Sequence, residues 1–131
     1  MFMEKGLGRM MRNMTFSGMA STFLGAWKPL ADIYETNDSL ILYMDVAGVE
    51  PEKLVVSATL LELTISGERQ SPVAEVSCVH QLEIDHGAFE RTIVLPLPVE
   101  VEKITSTCKN GFLVVTMPKQ EAKSKIKIKV D

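Results

Sequence analysis

Apolar and polar residues alternate with a period of two through most of the middle of the chain, and this period predicts β-strands with one buried face. The pattern is clearest over residues 39–46, where one face carries Leu40, Leu42, Met44 and Val46. Further segments that favour strands lie at residues 31–35, 53–58, 62–66 and 87–95. We find no clear helical period in this region. Seven or eight short strands without a helix predict an all-β protein built as an antiparallel β-sandwich.

A β-hairpin is predicted near the end of this region, around Asn110-Gly111. This dipeptide favours a type I′ turn, in which both central residues need positive φ, and strand-forming residues flank it from position 104 to position 117. Because residues 112–117 are apolar on both faces apart from Thr116, we expect this strand to be buried on both sides. Pro118 ends it, since proline has no N–H to donate to a neighbouring strand.

Residues 70–86 are the least strand-like part of the middle region, with residues 79–84 as a candidate short strand. The interval is too long for a hairpin loop, and long loops inside compact domains are usually functional. In the strand that follows, Arg91 shares a face with Phe89 and Ile93. A guanidinium buried in this way is expected to pair with a carboxylate.

The two ends of the chain differ from the body in composition. Residues 1–27 hold six of the eight methionines among phenylalanines, glycines and serines. We interpret them as a flexible, adhesive N-terminal segment, because methionine-rich surfaces adapt to varied partners; a simple disordered tail is the alternative. Residues 28–119 form the predicted β-sandwich domain, and residues 120–131 form a Lys-rich C-terminal extension. The apolar residues of its motif, called the tail motif below, are Ile126, Ile128 and Val130.

Charge is spread unevenly over the chain. The net charge of −3 combines +2 in residues 1–27, −8 in residues 28–118 and +3 in residues 119–131. An acidic body argues against nucleic acid as the main partner, and we interpret the basic tail as a solvated tether. Serines and glycines interrupt the apolar run near the start, so we expect no signal peptide. No stretch is apolar over the length that a bilayer-spanning helix needs.

Candidate catalytic and metal chemistry is sparse. Cys78 and Cys108 are too few for a disulfide framework, and we interpret both as reduced thiols in a cytoplasmic protein. His80, Asp85 and His86 lie near Cys78, but zinc needs three or four ligands at suitable spacing, so we expect no metal or other cofactor. The sequence has no nucleophile elbow, glycine-rich phosphate loop or positioned Ser-His-Asp triad, and we do not expect an enzyme.

Several short motifs follow one another along the chain, and their order is more specific than any one of them. They are Pro29-Leu30-Ala31-Asp32-Ile33-Tyr34-Glu35-Thr36, Asp45-Val46-Ala47-Gly48-Val49, Leu63-Thr64-Ile65-Ser66-Gly67-Glu68-Arg69, Gly87-Ala88-Phe89-Glu90-Arg91 with Leu95-Pro96, and Asn110-Gly111-Phe112-Leu113-Val114-Val115 with Pro118-Lys119. In this order they resemble the small heat-shock protein, or alpha-crystallin, family over roughly residues 28–119. The resemblance implies an alpha-crystallin-like sandwich of immunoglobulin-like topology.

The sequence departs from the family pattern at three places. Ala47 stands where proline is usual, and Ser106 replaces a common alanine. Leu60-Leu61 occupies a turn where the family usually has Asp, Asn or Gly, which leaves apolar side chains at an expected turn.

The resemblance implies an ATP-independent holdase chaperone that forms dimers, assembles them into larger homo-oligomers and binds unfolding client proteins. It also implies hand-over of clients to ATP-dependent chaperones. In this interpretation the client-binding candidates are the large apolar residues of the N-terminal segment: Phe2, Met10, Met11, Met14, Phe16, Met19, Phe23 and Trp27.

The length of the interval from Gly67 to Gly87 resembles bacterial and plant members, in which this loop carries a strand that pairs with the opening strand of the partner. Pairing of this kind satisfies exposed backbone groups on both chains. By resemblance, the dimer interface includes Ile33, Tyr34, Glu83 and Arg91. A surface pair of Glu83 and Arg91 within one chain is the alternative.

The tail motif resembles the Ile-x-Ile/Val motif of the family, which enters a groove on a neighbouring sandwich. The implied groove residues are Leu54, Val56, Ile104, Ser106 and Cys108. Two registers fit, Ile126 with Ile128 or Ile128 with Val130, and a terminal strand packed on its own body is a further alternative. Rival functions are a co-chaperone or scaffold module that binds one defined partner, and a plain structural sandwich whose core the N-terminal segment completes.

Overall fold

The computed structural model describes residues 27–121 and 128–131. In this part the chain forms an all-β sandwich of two antiparallel sheets, as predicted. The strands are β1 (Ala31–Glu35), β2 (Ser39–Asp45), β3 (Val55–Ala58), β4 (Glu62–Arg69), β5 (Gly87–Val94), β6 (Thr105–Lys109) and β7 (Phe112–Pro118). One sheet has the order β1-β2-β7-β6 and the other the order β3-β4-β5.

The core lies between the two sheets and is built from the predicted period of two. In β2 the residues Leu40, Leu42 and Met44 are fully buried, and their register partners on β7 and β1 point the same way. On the facing sheet, Leu63 and Ile65 of β4 are fully buried as well. Alternate residues of a strand point to opposite faces, so this phase sets which side of each sheet meets the core.

The strand β7 corrects one expectation. We expected residues 112–117 to be buried on both sides, but only Leu113, Val115 and Met117 are buried. The alternate residues of this strand point outward and are partly or fully exposed, with Phe112 exposed. β7 is central in its sheet, yet no further layer covers the outer side of that sheet in the described part of the chain.

The predicted hairpin is present. β6 and β7 pair in antiparallel register from Lys109 opposite Phe112, which leaves Asn110 and Gly111 as a two-residue turn. Both turn residues have positive φ, 52° and 82°, as a type I′ turn requires. A Cβ on Gly111 would also lie 3.4 Å from the Cα of Ala47, so the hairpin turn packs closely on the loop after β2.

Two predicted strands have different bounds, and one is not formed. The strand expected at residues 53–58 begins only at Val55, because a 3₁₀-helix, Pro51–Lys53, precedes it. The strand expected at residues 62–66 continues to Arg69. The candidate short strand at residues 79–84 is wrong for this chain by itself: residues 70–86 contain no strand. A strand there needs a neighbouring strand for its backbone ladder, and the described strands pair in other registers.

The position of Trp27 differs from our expectation, since we grouped it with the client-binding candidates of the N-terminal segment. It is only 5% exposed and belongs to the core cluster. Its ring meets Phe89 edge-on, with ring centroids 5.2 Å apart, and the guanidinium of Arg69 lies 4.1 Å from its ring centroid. Burial of a large aromatic ring stabilises a folded domain more than its exposure does. Trp27 is therefore part of the body.

Candidate functional site

The two sheets do not close against each other at the side where β3 and β6 form their edges. In β6, Ser106 and Cys108 pair with the buried residues Val115 and Leu113, so they point toward the interior. They are nevertheless exposed. An open groove runs between these two edge strands, called the β3–β6 groove below.

The β3–β6 groove consists of three adjoining depressions. The middle one, of about 150 Å³, is lined by Leu54, Val56, Ser106 and Cys108 among others. It shares Val56 and Ser106 with a depression of about 240 Å³ that adds Ile104. At its other end it shares Cys108 with a depression of about 300 Å³ beside the hairpin turn. The structure thus brings together all the predicted groove residues on one surface.

Sequence reasoning missed some of the lining. Pro51 and Leu113 lie in the middle depression, and Ala58 and Val101 lie in the one beside it. Ala58 follows Leu54 and Val56 at the same period of two, so the alternation of this segment could have identified it as a groove residue. Val101 begins a short 3₁₀-helix, Val101–Lys103, that carries no sequence period.

The tail motif lies partly outside the described residues, since Ile126 falls in the undescribed interval. Ile128 and Val130 are described, and they are 85% and 92% exposed. Residues 128–131 are not in a strand. The alternative of a terminal strand packed on its own body is therefore not supported at Ile128 and Val130.

The edge strand β1 carries the first two predicted dimer residues. Ile33 and Tyr34 are both exposed. Among the described strands β1 pairs with β2 alone, so one row of its backbone groups faces away from the sheet. Edge strands with free backbone groups are sites where a further strand adds. The geometry of β1 is that of an open edge.

Glu83 and Arg91 are not brought together within the chain. The carboxylate of Glu83 accepts a short hydrogen bond from the side chain of Gln81. The guanidinium of Arg91 donates a 2.8 Å hydrogen bond from Nη1 to the carbonyl oxygen of Pro29. The partner that the structure shows for Arg91 is thus a backbone carbonyl rather than the expected carboxylate, and the alternative of an intrachain Glu83–Arg91 pair is not observed.

The remaining candidates can be placed briefly. In the described part of the chain no three His, Cys, Asp or Glu side chains gather as potential metal ligands, and Cys78 and Cys108 are free and exposed. We find no helix among the described residues that is long and apolar enough to span a membrane. The other client-binding candidates lie outside the described residues: Phe2, Met10, Met11, Met14, Phe16, Met19 and Phe23.

The strand order, the groove and the open β1 edge define an alpha-crystallin-type sandwich, and comparisons with known proteins agree. The model of the Hsp20/alpha crystallin family matches residues 32–131. Heat shock protein 16 of Schizosaccharomyces pombe is 33% identical over 101 residues, which cover 74% of this chain and 70% of that protein. The 17.4 kDa class I heat shock protein of Arabidopsis thaliana is 37% identical over 99 residues, covering 73% and 64% of the two chains.

Solved structures are similar over the same region. A small heat-shock protein from Xylella fastidiosa has a TM-score of 0.69 at 29% identity, with 80% of this chain and 97% of that chain covered. The hspA structure from Xanthomonas axonopodis has a TM-score of 0.66 at 33% identity, with 72% and 95% covered. The chain belongs to the Hsp20/alpha crystallin family, that of the small heat-shock proteins.

Proposed function

We propose that the protein is an ATP-independent holdase chaperone that assembles into homo-oligomers and binds unfolding proteins. The observation that carries this proposal is the β3–β6 groove, an open surface with apolar side chains from both edge strands, in a chain whose tail exposes Ile128 and Val130. The aliphatic side chains of Leu54, Val56 and Ile104 in the groove are of the kind that packs against aliphatic residues such as Ile128 and Val130. Family membership supports the same conclusion.

The tail motif would join sandwiches by entering the groove of a neighbouring subunit. Burial of two aliphatic side chains gives roughly 3–6 kcal/mol before association entropy is subtracted, at about 1.5–3 kcal/mol each. A single tail contact is therefore weak and exchangeable. Several such contacts in one closed assembly act together through a high effective concentration. An assembly of this kind opens on heating and frees its groove.

The dimer would form at the edge of β1. In this proposal, residues 79–84 of one subunit add as a strand to β1 of its partner, next to Ile33 and Tyr34. The absence of a strand at residues 70–86 in the single chain and the open β1 edge support it. Glu83 and Arg91, which do not pair within the chain, then come together between subunits. The Xylella fastidiosa relative is described as having a distinct high order structure, which fits an assembling family.

Clients would bind to the Met- and Phe-rich residues before Trp27, and hand-over to ATP-dependent chaperones would follow. We place this activity in the cytoplasm, because Cys78 and Cys108 are free thiols and reduced cysteines are usual there. The mechanism needs no nucleotide: apolar surface is exchanged between subunit and client, and release follows from the same equilibrium.

The proposal is tested by light scattering of a heat-labile client, warmed without nucleotide, with and without this protein. We expect aggregation to be suppressed at near-stoichiometric amounts. A chain that starts at Trp27, and so keeps the buried indole, should protect less well while its sandwich stays folded by circular dichroism. Failure to protect, both by the full chain and by a variant whose tail motif is removed to free subunits, would favour a scaffold module that binds one partner.

A further inference from the structure

The outer faces of the two sheets differ sharply in chemistry. On the three-stranded sheet the outward residues are mainly hydroxyl and carboxylate side chains: Glu62, Thr64, Ser66, Glu90 and Thr92. On the four-stranded sheet the outward residues of β1, β2 and β7 include an apolar group, called the aromatic face below. Its members are Tyr34, Ile41, Tyr43, Phe112 and Val114.

Three rings form a row across the aromatic face. Tyr34 and Tyr43 meet edge-on with ring centroids 6.1 Å apart, and Tyr43 and Phe112 meet with centroids 6.2 Å apart. The three residues are 54%, 41% and 43% exposed. A contiguous row of half-exposed rings on one face is typical of a surface that another apolar segment covers.

Trp27, the first described residue, lies at the end of the sandwich where the aromatic row ends in Phe112. Arg69 contacts the Trp27 ring and also donates a 3.0 Å hydrogen bond from Nη1 to the carbonyl oxygen of Ala47. Ala47 in turn lies against Gly111, the residue before Phe112. Trp27 and the Phe112 end of the aromatic row are therefore at the same end of the sandwich.

Residues 1–26 have ample length to cross the aromatic face. A fully extended chain of this length spans up to about 85–95 Å, whereas a seven-residue strand is only about 24 Å long. The segment can therefore pass along β2 and β7 even in a compact conformation. Its reach does not depend on any movement of the body.

The chemistry of the segment matches the face. Residues 1–26 contain six methionines and three phenylalanines, and thioethers make favourable contacts with aromatic ring edges. The segment carries a net charge of +2 from Lys5, Arg9, Arg12 and Glu4. On the aromatic face, Asp32 of β1 lies opposite Tyr43 and Asp45 of β2 lies opposite Phe112. Lys109 of β6 also lies opposite Phe112 on this face. Two carboxylates against one ammonium leave the face acidic on balance, which favours a basic apolar segment over an acidic one.

We propose that residues 1–26 dock on the aromatic face of their own chain, with methionine and phenylalanine side chains packed on Tyr34, Tyr43 and Phe112. This contact is separate from the β3–β6 groove. At β1 it uses the outward side chain of Tyr34 and not the backbone groups of the strand edge. It does not depend on holdase activity. It assigns an occupant to the outward residues of β2 and β7.

The test is photo-cross-linking in the full-length protein. Benzoylphenylalanine replaces Tyr43 in one variant and Phe112 in another, and it replaces Val94 in a matched control. Val94 is an exposed apolar residue on the outer face of the other sheet, 74% exposed. After irradiation, mass spectrometry identifies the cross-linked peptides, and mixed ¹⁴N- and ¹⁵N-labelled subunits separate links within a chain from links between chains.

We expect peptides from residues 1–26 to be cross-linked at least tenfold more from positions 43 and 112 than from position 94, with both partners carrying the same isotope. Equal yields from the control position would overturn the proposal. So would links made mainly between differently labelled subunits, or links from positions 43 and 112 to the body of a second copy. Circular dichroism of each variant establishes that the sandwich is folded before irradiation.

Discussion

The indole Nε1 of Trp27 donates a 2.6 Å hydrogen bond to the carbonyl oxygen of Gly87, 60 residues further along the chain. The same ring packs edge-on against Phe89 and lies under the guanidinium of Arg69. One residue therefore joins the start of the described chain to β4 and β5. These contacts of Trp27 are the basis of the first prediction.

Trp27→Ala should lower the free energy of unfolding by about 3–5 kcal/mol, because it removes a large buried ring and leaves a cavity. Trp27→Phe keeps most of the buried area and loses the hydrogen bond, so it should cost only about 1–3 kcal/mol. Urea denaturation followed by circular dichroism measures both. Leu30→Ala, at an exposed neighbouring position, is the control and should stay within about 0.5 kcal/mol. An equally small effect at Trp27 would contradict its place in the core.

Gly67 in β4 allows close packing of Leu54 and Phe89 over the strand. A Cβ at Gly67 would lie 2.9 Å from Cδ2 of Leu54 and 3.0 Å from Cε1 of Phe89. Gly67→Ala should therefore destabilise the sandwich by about 1–3 kcal/mol through overpacking. It should also move Leu54, which lines the β3–β6 groove. Ser66→Ala, on the outer side of the same strand, is the matched control for both thermal unfolding and oligomer size.

A bulky side chain in the β3–β6 groove should release the tail from it. Ser106 lines two of the three depressions and is exposed, so Ser106→Phe fills the groove with little effect on the core. We expect multi-angle light scattering to show a shift from large to small species. Thr105→Phe adds the same ring on the outer side of β6 and should leave the size unchanged. A shift with both variants would mean that the ring itself disturbs assembly.

Substitutions in the tail motif, the other half of this contact, should give the same shift to small species. The double variant Ile126→Ala with Ile128→Ala is expected to produce small species with an unchanged circular dichroism spectrum, since Ile128 is 85% exposed in the chain by itself. Single substitutions decide the register. Ile126→Ala should reduce the oligomer size if Ile126 and Ile128 enter the groove, and Val130→Ala should do so if Ile128 and Val130 enter it. Unchanged size in all of these variants would remove the tail from the assembly contact.

Glu83 and Arg91 are not paired with each other within the chain. This is the basis of a prediction about the dimer. If they meet across the subunit interface, Glu83→Gln and Arg91→Met should each weaken the dimer, and the double variant should lose little more than either one. The coupling free energy from this cycle is expected to be about 0.5–3 kcal/mol. Sedimentation of dilute samples measures it. Full additivity would place the two residues in separate environments.

The local pattern was sufficient for most of the fold. The burial of Leu40, Leu42 and Met44 follows from their period, and the positive φ values of Asn110 and Gly111 follow from the chemistry of the turn. In these two cases a short stretch of sequence carries enough physical preference to decide the local structure. The groove residues came instead from the family resemblance, and the alternation that places Val56 and Ser106 on the inner sides of their strands agrees with it.

Other features depend on contacts that no local pattern contains. Trp27 sits among apolar residues of the N-terminal segment, and only its distance to Gly87 and Phe89 shows that it is a core residue. The strand expected at residues 79–84 has β propensity, but neither sheet of the described chain includes it. Phe112 was expected to be buried because β7 is apolar on both sides, yet nothing in the described residues covers that side. Such outcomes are decided by tertiary neighbours.

The two cysteines lie at different places with respect to the proposed contacts. Cys108 faces the β3–β6 groove, where the tail would bind, and Cys78 lies in the loop of residues 70–86, where the dimer would form. Their alkylation rates therefore follow two levels of assembly independently. Loss of the tail contact should speed the labelling of Cys108 alone, and separation of the dimer should speed that of Cys78. The chain thus contains a native chemical probe for each of its two proposed subunit contacts.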